Sequence, residues 1–306
     1  MHDFPVNAIR SVGIGVPDLA RAEAFYTTVW GLSVSARAGG VVYLRGTGAD
    51  HHVLALCAHP SSEILWVAFR VRDEQALGTI AKNVSKAGGI LIAPAVPNAE
   101  PDGGIVLKMA SPEGFIFRFH CGDVQHENSA TRSGFPLRLS HVNLNCSNVD
   151  ETSRFFQQAL GFQLTDRSKL MGFLRCNADH HSVVLAEAMV DGLNHVAFMM
   201  PDWESVMLGS GRMIDHGFPI GWGIGRHGPG NNVFAYFVDP FGFVIEHTAE
   251  VLQVDDDYIA HGPQYWVWSP GRTDHWGVAP RKPEYVKEAQ LAIRFAAANR
   301  TESNRR

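Results

Sequence analysis

His141, His195 and Glu246 are three side chains able to bind a metal, and they lie too far apart in the chain to form a local motif. What singles them out is the chain's own earlier half. At the matching positions of a similar stretch nearer the amino terminus stand Val12, Trp66 and Arg118, two apolar residues and a cation. A structural need for histidine would hold in both stretches if their folds match, so the difference points to a function confined to the later one. Two neutral imidazoles and one carboxylate, with positions left open, form the facial triad that suits non-heme ferrous iron. Three protein ligands on one face leave three sites, enough for the two oxygens of a vicinal diol and one dioxygen. Ferrous iron beside one carboxylate keeps a charge of about +1, which a catecholate monoanion neutralises in a low-dielectric pocket.

The likeness between the halves runs far beyond these positions. Adjacent histidine pairs mark it, in "ADHHVLAL" at 49–56 and "ADHHSVVL" at 178–185. His52 and His181 are 129 residues apart, as are Asp73 and Asp202, and "SPEGFIFRFH" (111–120) matches "DPFGFVIEHT" (239–248) at an offset of 128. The chain reads as two copies of one domain. Each histidine pair stands at the head of a predicted strand, where side chains alternate between faces, so at most one of each pair can serve a site.

The elements that must position these residues follow from local patterns. Phe155, Phe156, Ala159 and Leu160 recur at helical spacing, with Asn148 or Asp150 as a cap and Gly161 as a stop, which predicts a helix over 150–160. The runs "MGFLRC", "HSVVLA" and "NHVAFMM" read as strands, and a second helix runs from about Asp202 to His216. "VFAYFVDPFGFVIEHT" reads as two strands joined by a Pro-Phe-Gly turn, with Tyr236 and Phe234 on one face and Ala235 and Phe237 on the other. The pattern is βαβββ twice per copy, an α+β fold of four modules. Expected boundaries are 1–122 for the first copy and 136–250 for the second, separated by a patternless linker at about 122–136. Residues 251–306 have no counterpart in the first copy. There "QYWVWSPGRTDHWG" suggests packing across a surface or over a pocket mouth, "PEYVKEAQLAIRFAAANR" a terminal amphipathic helix, and "TESNRR" a frayed end.

Composition narrows the class. Of 306 residues 45% are apolar and 19% charged, and no apolar run reaches the ~18 residues of a membrane helix. The start "MHDFPVNAIR" lacks the apolar core of a signal peptide, so the expected location is cytoplasmic. A net charge of −5 with no basic block argues against nucleic acid or an anionic membrane as partner. Cys57, Cys121, Cys146 and Cys176 form no CxxC pair and read as buried thiols. The glycines of "GWGIGRHGPG" lack the Lys-Ser or Lys-Thr of a phosphate loop and read as flexibility that lets a loop approach a pocket.

Three segments carry a resemblance to a known family: "CNADHHSVVL", "LNHVAF" and "GRHGPGNNVFAYFVDPFGFVIEH", the last with His227 nine residues before Tyr236 and Glu246 ten after it. Over roughly residues 8–250 the chain resembles the type I extradiol dioxygenases of the vicinal oxygen chelate superfamily. The resemblance implies two tandem vicinal-oxygen-chelate domains, each a pair of βαβββ modules forming a cupped mixed sheet, the first degenerate and without metal. It implies Fe(II) held by His141, His195 and Glu246, with His181 as acid and base, Tyr236 bonded to the substrate oxygen and His227 on the dioxygen side. The implied partners are a catecholic substrate and O2, and relatives suggest a homo-oligomer. An imidazole at His181 is chemically suited to take a proton from a diol hydroxyl and return it. Where many relatives carry polar residues after the histidine at 227, this chain has "HGPG".

Asn143 lies two residues after His141, hence on the same strand face, and should line the same cup. By position Phe173 and Val184 are expected apolar walls, while His247 points away and is not a ligand. Two other readings stay open. One is a non-oxidative divalent-metal lyase or isomerase of the glyoxalase type, which would have no use for His181, His227 and Tyr236 together. The other is a metal-free small-molecule binding protein.

Overall fold

A computed structural model describes residues 4–127 and 130–297. The first copy contains β1 (Val6–Val16), α1 (Leu19–Ala24) running into a π-helical turn at Phe25–Val29, β2 (Ser33–Ala38), β3 (Val41–Arg45) and β4 (Leu54–Ala58). Its second module is β5 (Glu63–Val71), α2 (Glu74–Lys86), β6 (Ile90–Pro97), β7 (Ile105–Ala110) and β8 (Ile116–Cys121). The second copy repeats the order with β9 (Arg138–Cys146), α3 (Val149–Leu160), β10 (Gln163–Arg167), β11 (Met171–Arg175) and β12 (Val183–Glu187). It continues with β13 (Gly192–Met199), α4 (Trp203–Asp215), β14 (Trp222–Arg226), β15 (Val233–Val238) and β16 (Val244–Ala249), and α5 (Glu284–Ala292) follows. The four βαβββ modules expected from sequence are all present, in two tandem domains.

Each module's helix starts in the same way. Asp18, Asp73, Asn148 and Asp202 are extended and accept a hydrogen bond from the backbone N–H three residues on, the interaction that satisfies an exposed helix-end donor. α3 stops at Gly161, whose φ of 76° suits a residue without a Cβ.

The strands form two open eight-stranded mixed sheets, β2-β3-β4-β1-β5-β8-β7-β6 and β10-β11-β12-β9-β13-β16-β15-β14. The central pair of each is antiparallel and each of its members has a parallel neighbour on the outer side. The two copies share one hydrophobic core. Trp30, which follows the π-helical turn of the first copy, stacks on His247 of the second at 3.8 Å and meets Phe198 and Phe237 edge-on. In return Phe156 of α3 packs on Phe117, and Phe162 on Phe69. Buried Tyr26 donates a hydrogen bond to buried Asp239 across the same seam at 2.9 Å.

Three sequence expectations change here. The linker does have structure among its described residues, because Asp123 bonds the buried Arg10 and the half-buried Arg70, and Gln125 bridges Asp50. The terminal helix is shorter than its apolar spacing predicts. It ends at Ala292, and the chain turns extended so that Ile293 pairs with Leu193 and Phe295 with Ile64, burial and sheet pairing that a continuing helix would forgo. The frayed end expected at 301–306 lies outside the described residues. The histidine pair at 180–181 precedes β12, which begins at Val183.

Candidate metal centre

His141, His195 and Glu246 come from β9, β13 and β16, three neighbouring central strands of the second sheet. Register aligns them. His141 pairs with Ala197, Ala197 with Glu246, Glu246 with Tyr236, and Tyr236 with Trp222, one rung across five strands. The next rung runs Phe173, Val184, Asn143, His195. Paired residues point to the same face, so the sheet's regular geometry gathers residues from His141 to Glu246, 105 positions apart in sequence, into one cup. Ala197 in the middle of the first rung has only a methyl group, leaving room between His141 and Glu246.

The donor atoms converge. His141 Nε2 lies 3.2 Å from His195 Nε2, and Glu246 Oε2 lies 3.3 and 3.1 Å from them. All three residues are buried. At metal–ligand lengths of roughly 2.1 Å, neighbouring ligands sit about 3.0 Å apart in octahedral geometry and about 3.4 Å apart in tetrahedral geometry. The observed edges fit either a facial octahedral set or a slightly compressed tetrahedral one.

The hydrogen bonds decide which atoms face inward. His195 Nδ1 is 2.9 Å from Asn194 Oδ1, a pure acceptor, so Nδ1 carries the hydrogen and Nε2 presents a lone pair. His141 Nδ1 lies 3.2 Å from Ser140 Oγ, consistent with the same tautomer. Neither Glu246 oxygen receives a hydrogen bond, although both are buried. Three electron-pair donors aimed at one point without a proton between them repel one another unless a cation joins them, so the residues fit a divalent metal. Burial pushes the His195 imidazolium down to about 4.

His181 lies against this centre, its ring 4.4 Å from that of His141. Its partner faces away: His180 Nε2 bonds the buried Asp166 at 2.9 Å, and His180 Nδ1 bonds His181 Nδ1 at 3.0 Å. With a proton on His180 Nε2 directed at the carboxylate, neutral His180 accepts from His181 Nδ1–H, which leaves His181 Nε2 bare. Only one histidine of the pair reaches the cup, as strand alternation suggested, although a bend rather than a strand separates them. Burial, reinforced by His141 and His180, holds the His181 imidazolium well below its usual value.

Tyr236 and His227 share a hydrogen bond of 3.0 Å, His227 stacks on Phe234 at 3.9 Å, and His227 Nε2 is 3.8 Å from Glu246 Oε1. Burial pushes the His227 imidazolium down to about 3 and the Tyr236 phenol well up. Asn143 is buried with Oδ1 unpartnered, Val184 is its neighbour, and Phe173 meets the His181 ring at 5.5 Å. His247 faces the other way, onto Trp30. The glycines near His227 serve close approach rather than flexibility. Gly230, at a φ of 78°, sits where a Cβ would lie 2.6 Å from His181 Cε1. The sequence reading missed Trp222, hidden in that glycine-rich run, and the polar side chains Asp166, Asn194, Lys282 and Gln290, which no local pattern ties to the cup.

The first copy supplies the comparison, with one correction. Val12 pairs with Leu54, whereas Val142 pairs with Val183; likewise Ser11, not Val12, stands opposite Ala68 as His141 stands opposite Ala197. The counterpart of His141 is therefore Ser11. The connection between the third and fourth strands is one residue longer in the first copy, so the offset changes there from 130 to 129. Trp66 and Arg118 do stand at the places of His195 and Glu246, and Arg118 lies 3.5 Å over the Trp66 ring, a cation–π stack where the second copy holds its donors.

Comparison with known proteins agrees with this geometry. Residues 138–247 match the Glyoxalase/Bleomycin resistance protein/Dioxygenase superfamily. The Mn(II)-bound glyoxalase from Novosphingobium aromaticivorans is 33% identical, with a TM-score of 0.85 over 92% of this chain and 94% of that one. Metapyrocatechase 2 of Cupriavidus necator is 35% identical over 156 residues, 49% of this chain, and the match spans about half (47%) of that protein. The manganese-dependent 2,3-dihydroxybiphenyl 1,2-dioxygenase of Geobacillus genomosp. 3 is 23% identical over 75% of this chain and 80% of its own. The chain belongs to the glyoxalase/bleomycin resistance protein/dioxygenase superfamily. Among the described residues no helix is long and apolar enough to cross a membrane.

Proposed function

We propose that the second copy opens the aromatic ring of a catechol beside its vicinal diol, using O2 and an Fe(II) ion held by His141, His195 and Glu246. The observation that carries this reading is the convergence of those three donors within 3.3 Å, ringed by His181, His227 and Tyr236. A bound ferrous ion would supply Lewis acidity to the diol and a path for electrons to dioxygen.

The chain's own residues account for the protons and the fit. His181 Nε2, bare and neutral, takes the proton of a diol hydroxyl and later returns it, while His180 and Asp166 keep the ring in the required tautomer. Tyr236 holds a substrate oxygen through its hydroxyl, and His227 faces the dioxygen side. Asn143 Oδ1, buried without a partner, accepts from the second hydroxyl. Phe173 and Val184 form apolar walls for the ring.

A second reading is favoured by one relative's description as a Mn(II)-bound glyoxalase. A glyoxalase-type reaction consumes no oxygen, and that separates the two. Loaded anaerobically with Fe(II) and then given air and a panel of catechols, the protein is expected to take up oxygen and form yellow ring-opened product. Bound metal with no oxygen uptake overturns the proposal, and activity with Mn(II) in place of Fe(II) corrects the choice of metal.

A further inference from the structure

The arm after β16 repeats the first copy's Asp50–Gln125 bridge as Asp179–Gln253 and then runs on, touching the second copy's site at three separate places. Tyr258 donates to Asp166 Oδ2 at 3.1 Å and the His261 N–H donates to Asp166 Oδ1 at 2.7 Å, behind the histidine pair. Lys282 Nζ lies 4.3 Å over Trp222 and 5.5 Å over Tyr236. The third contact reaches a metal ligand's partner. Gln290 of α5, itself buried, donates through Nε2 to Asn194 Oδ1 at 2.7 Å, the same oxygen that accepts from His195 Nδ1. Asn194 Nδ2 donates to Asn145 Oδ1 at 2.8 Å, and Asn145 Nδ2 returns a hydrogen bond to the Gln290 carbonyl at 2.6 Å. Lys282 Nζ donates to Gln290 Oε1 at 2.9 Å and completes the set.

We propose that Gln290 is a positioning residue for the metal centre, acting through Asn194 to fix the orientation of His195. The amide of Asn194 can rotate, exchanging its oxygen and nitrogen. With nitrogen turned toward His195, Nδ1 would have to accept, the ring hydrogen would move to Nε2, and the lone pair would be lost from the cup. Gln290 Nε2 and Asn145 Oδ1 together permit only one orientation, oxygen toward His195. The arm thus helps set the affinity of the centre from a helix that never touches the metal position.

This inference rests on His195 being a ligand, as the functional reading requires, but its test needs no catechol. Full-length wild type, Gln290→Glu and Gln290→Leu are stripped of metal, and Mn(II) affinity is measured by competition with a chromophoric chelator. Circular dichroism follows the fold. Gln290→Glu keeps the size and the helix but removes the donor, so a role in packing alone leaves its affinity unchanged. The expected result is a loss of roughly 10- to 100-fold in both variants, with a changed absorption spectrum for the Co(II)-loaded protein. A folded Gln290→Glu with wild-type affinity and spectrum overturns the inference, and should Gln290→Leu fail to fold, Gln290→Glu decides alone. Tight metal binding by a wild type that consumes no oxygen would sink the functional reading and leave this one standing. A wild type that binds no metal would sink both.

Discussion

His180 Nε2 is 2.9 Å from Asp166 Oδ2, and both side chains are fully enclosed. The first copy keeps the Nδ1-to-Nδ1 contact between His51 and His52 at 3.1 Å but ends it at Ser35 Oγ and the stacked ring of His126. A buried carboxylate behind the pair is thus specific to the copy with the metal donors. Asp166→Asn is expected to lower kcat by roughly 10- to 100-fold, with a smaller change in KM and unchanged metal content, because it weakens proton transfer and not binding. Steady-state oxygen uptake beside metal analysis checks this, and a loss carried by KM alone refutes it.

Removing a donor should empty the centre. His195→Ala and Glu246→Ala are each expected to abolish retention of metal through gel filtration, and with it turnover. Elemental analysis of the purified variants reads the outcome, and full turnover in His195→Ala would remove that residue from the ligand set.

Asp239 gives the fold a pH dependence that can be isolated. Burial raises its carboxyl to about 6, against the downward pull of the Phe241 and Phe243 N–H groups and Tyr26. The folded pKa lies above the unfolded value, so the fold binds the proton more tightly. Its contribution is fully present below pH ~4 and is lost as pH rises through about 6, a difference of about 2–3 kcal/mol. Asp239→Asn keeps an acceptor for the two backbone donors and has nothing to ionise. The melting temperature of the variant should therefore gain on wild type as pH rises from 4 to 7, and a constant gap would show that Asp239 does not titrate.

Trp30 tests whether the copies unfold together. Its ring is fully buried between them, so Trp30→Ala should cost about 3–5 kcal/mol. Because the core is shared, denaturant unfolding should remain one transition at a lower midpoint; two separate transitions would mean the copies are energetically independent.

Much of the site was legible because a duplicated chain carries its own control. Trp66 and Arg118 marked His195 and Glu246 correctly, and strand alternation put Asn143 beside His141 and Tyr236 beside Phe234. The error at Val12 came from a one-residue change in a connecting loop, which shifts an alignment but leaves no trace in composition. The glycines around His227 were read as slack because a sequence does not show that His181 occupies the missing Cβ position at Gly230. Gln290, Lys282 and Asp166 escaped notice for another reason. No local motif joins them to the cup: Asp166 lies 14 residues from His180 and Gln290 lies 96 from Asn194, and a polar side chain on a helix looks the same whether it meets water or Asn194. α5 ended early because pairing of Ile293 with Leu193 outweighed its helical spacing.

The Trp30–His247 stack also gives a reason for keeping a repeat that lacks the three donors. Cut away at the linker, the surviving half would turn a wall of rings, among them His247, Phe198 and Phe156, out to solvent. The first repeat is the mould against which the second is cast, free to drift in its own cup, where an arginine already lies on a tryptophan, but held to shape along the seam.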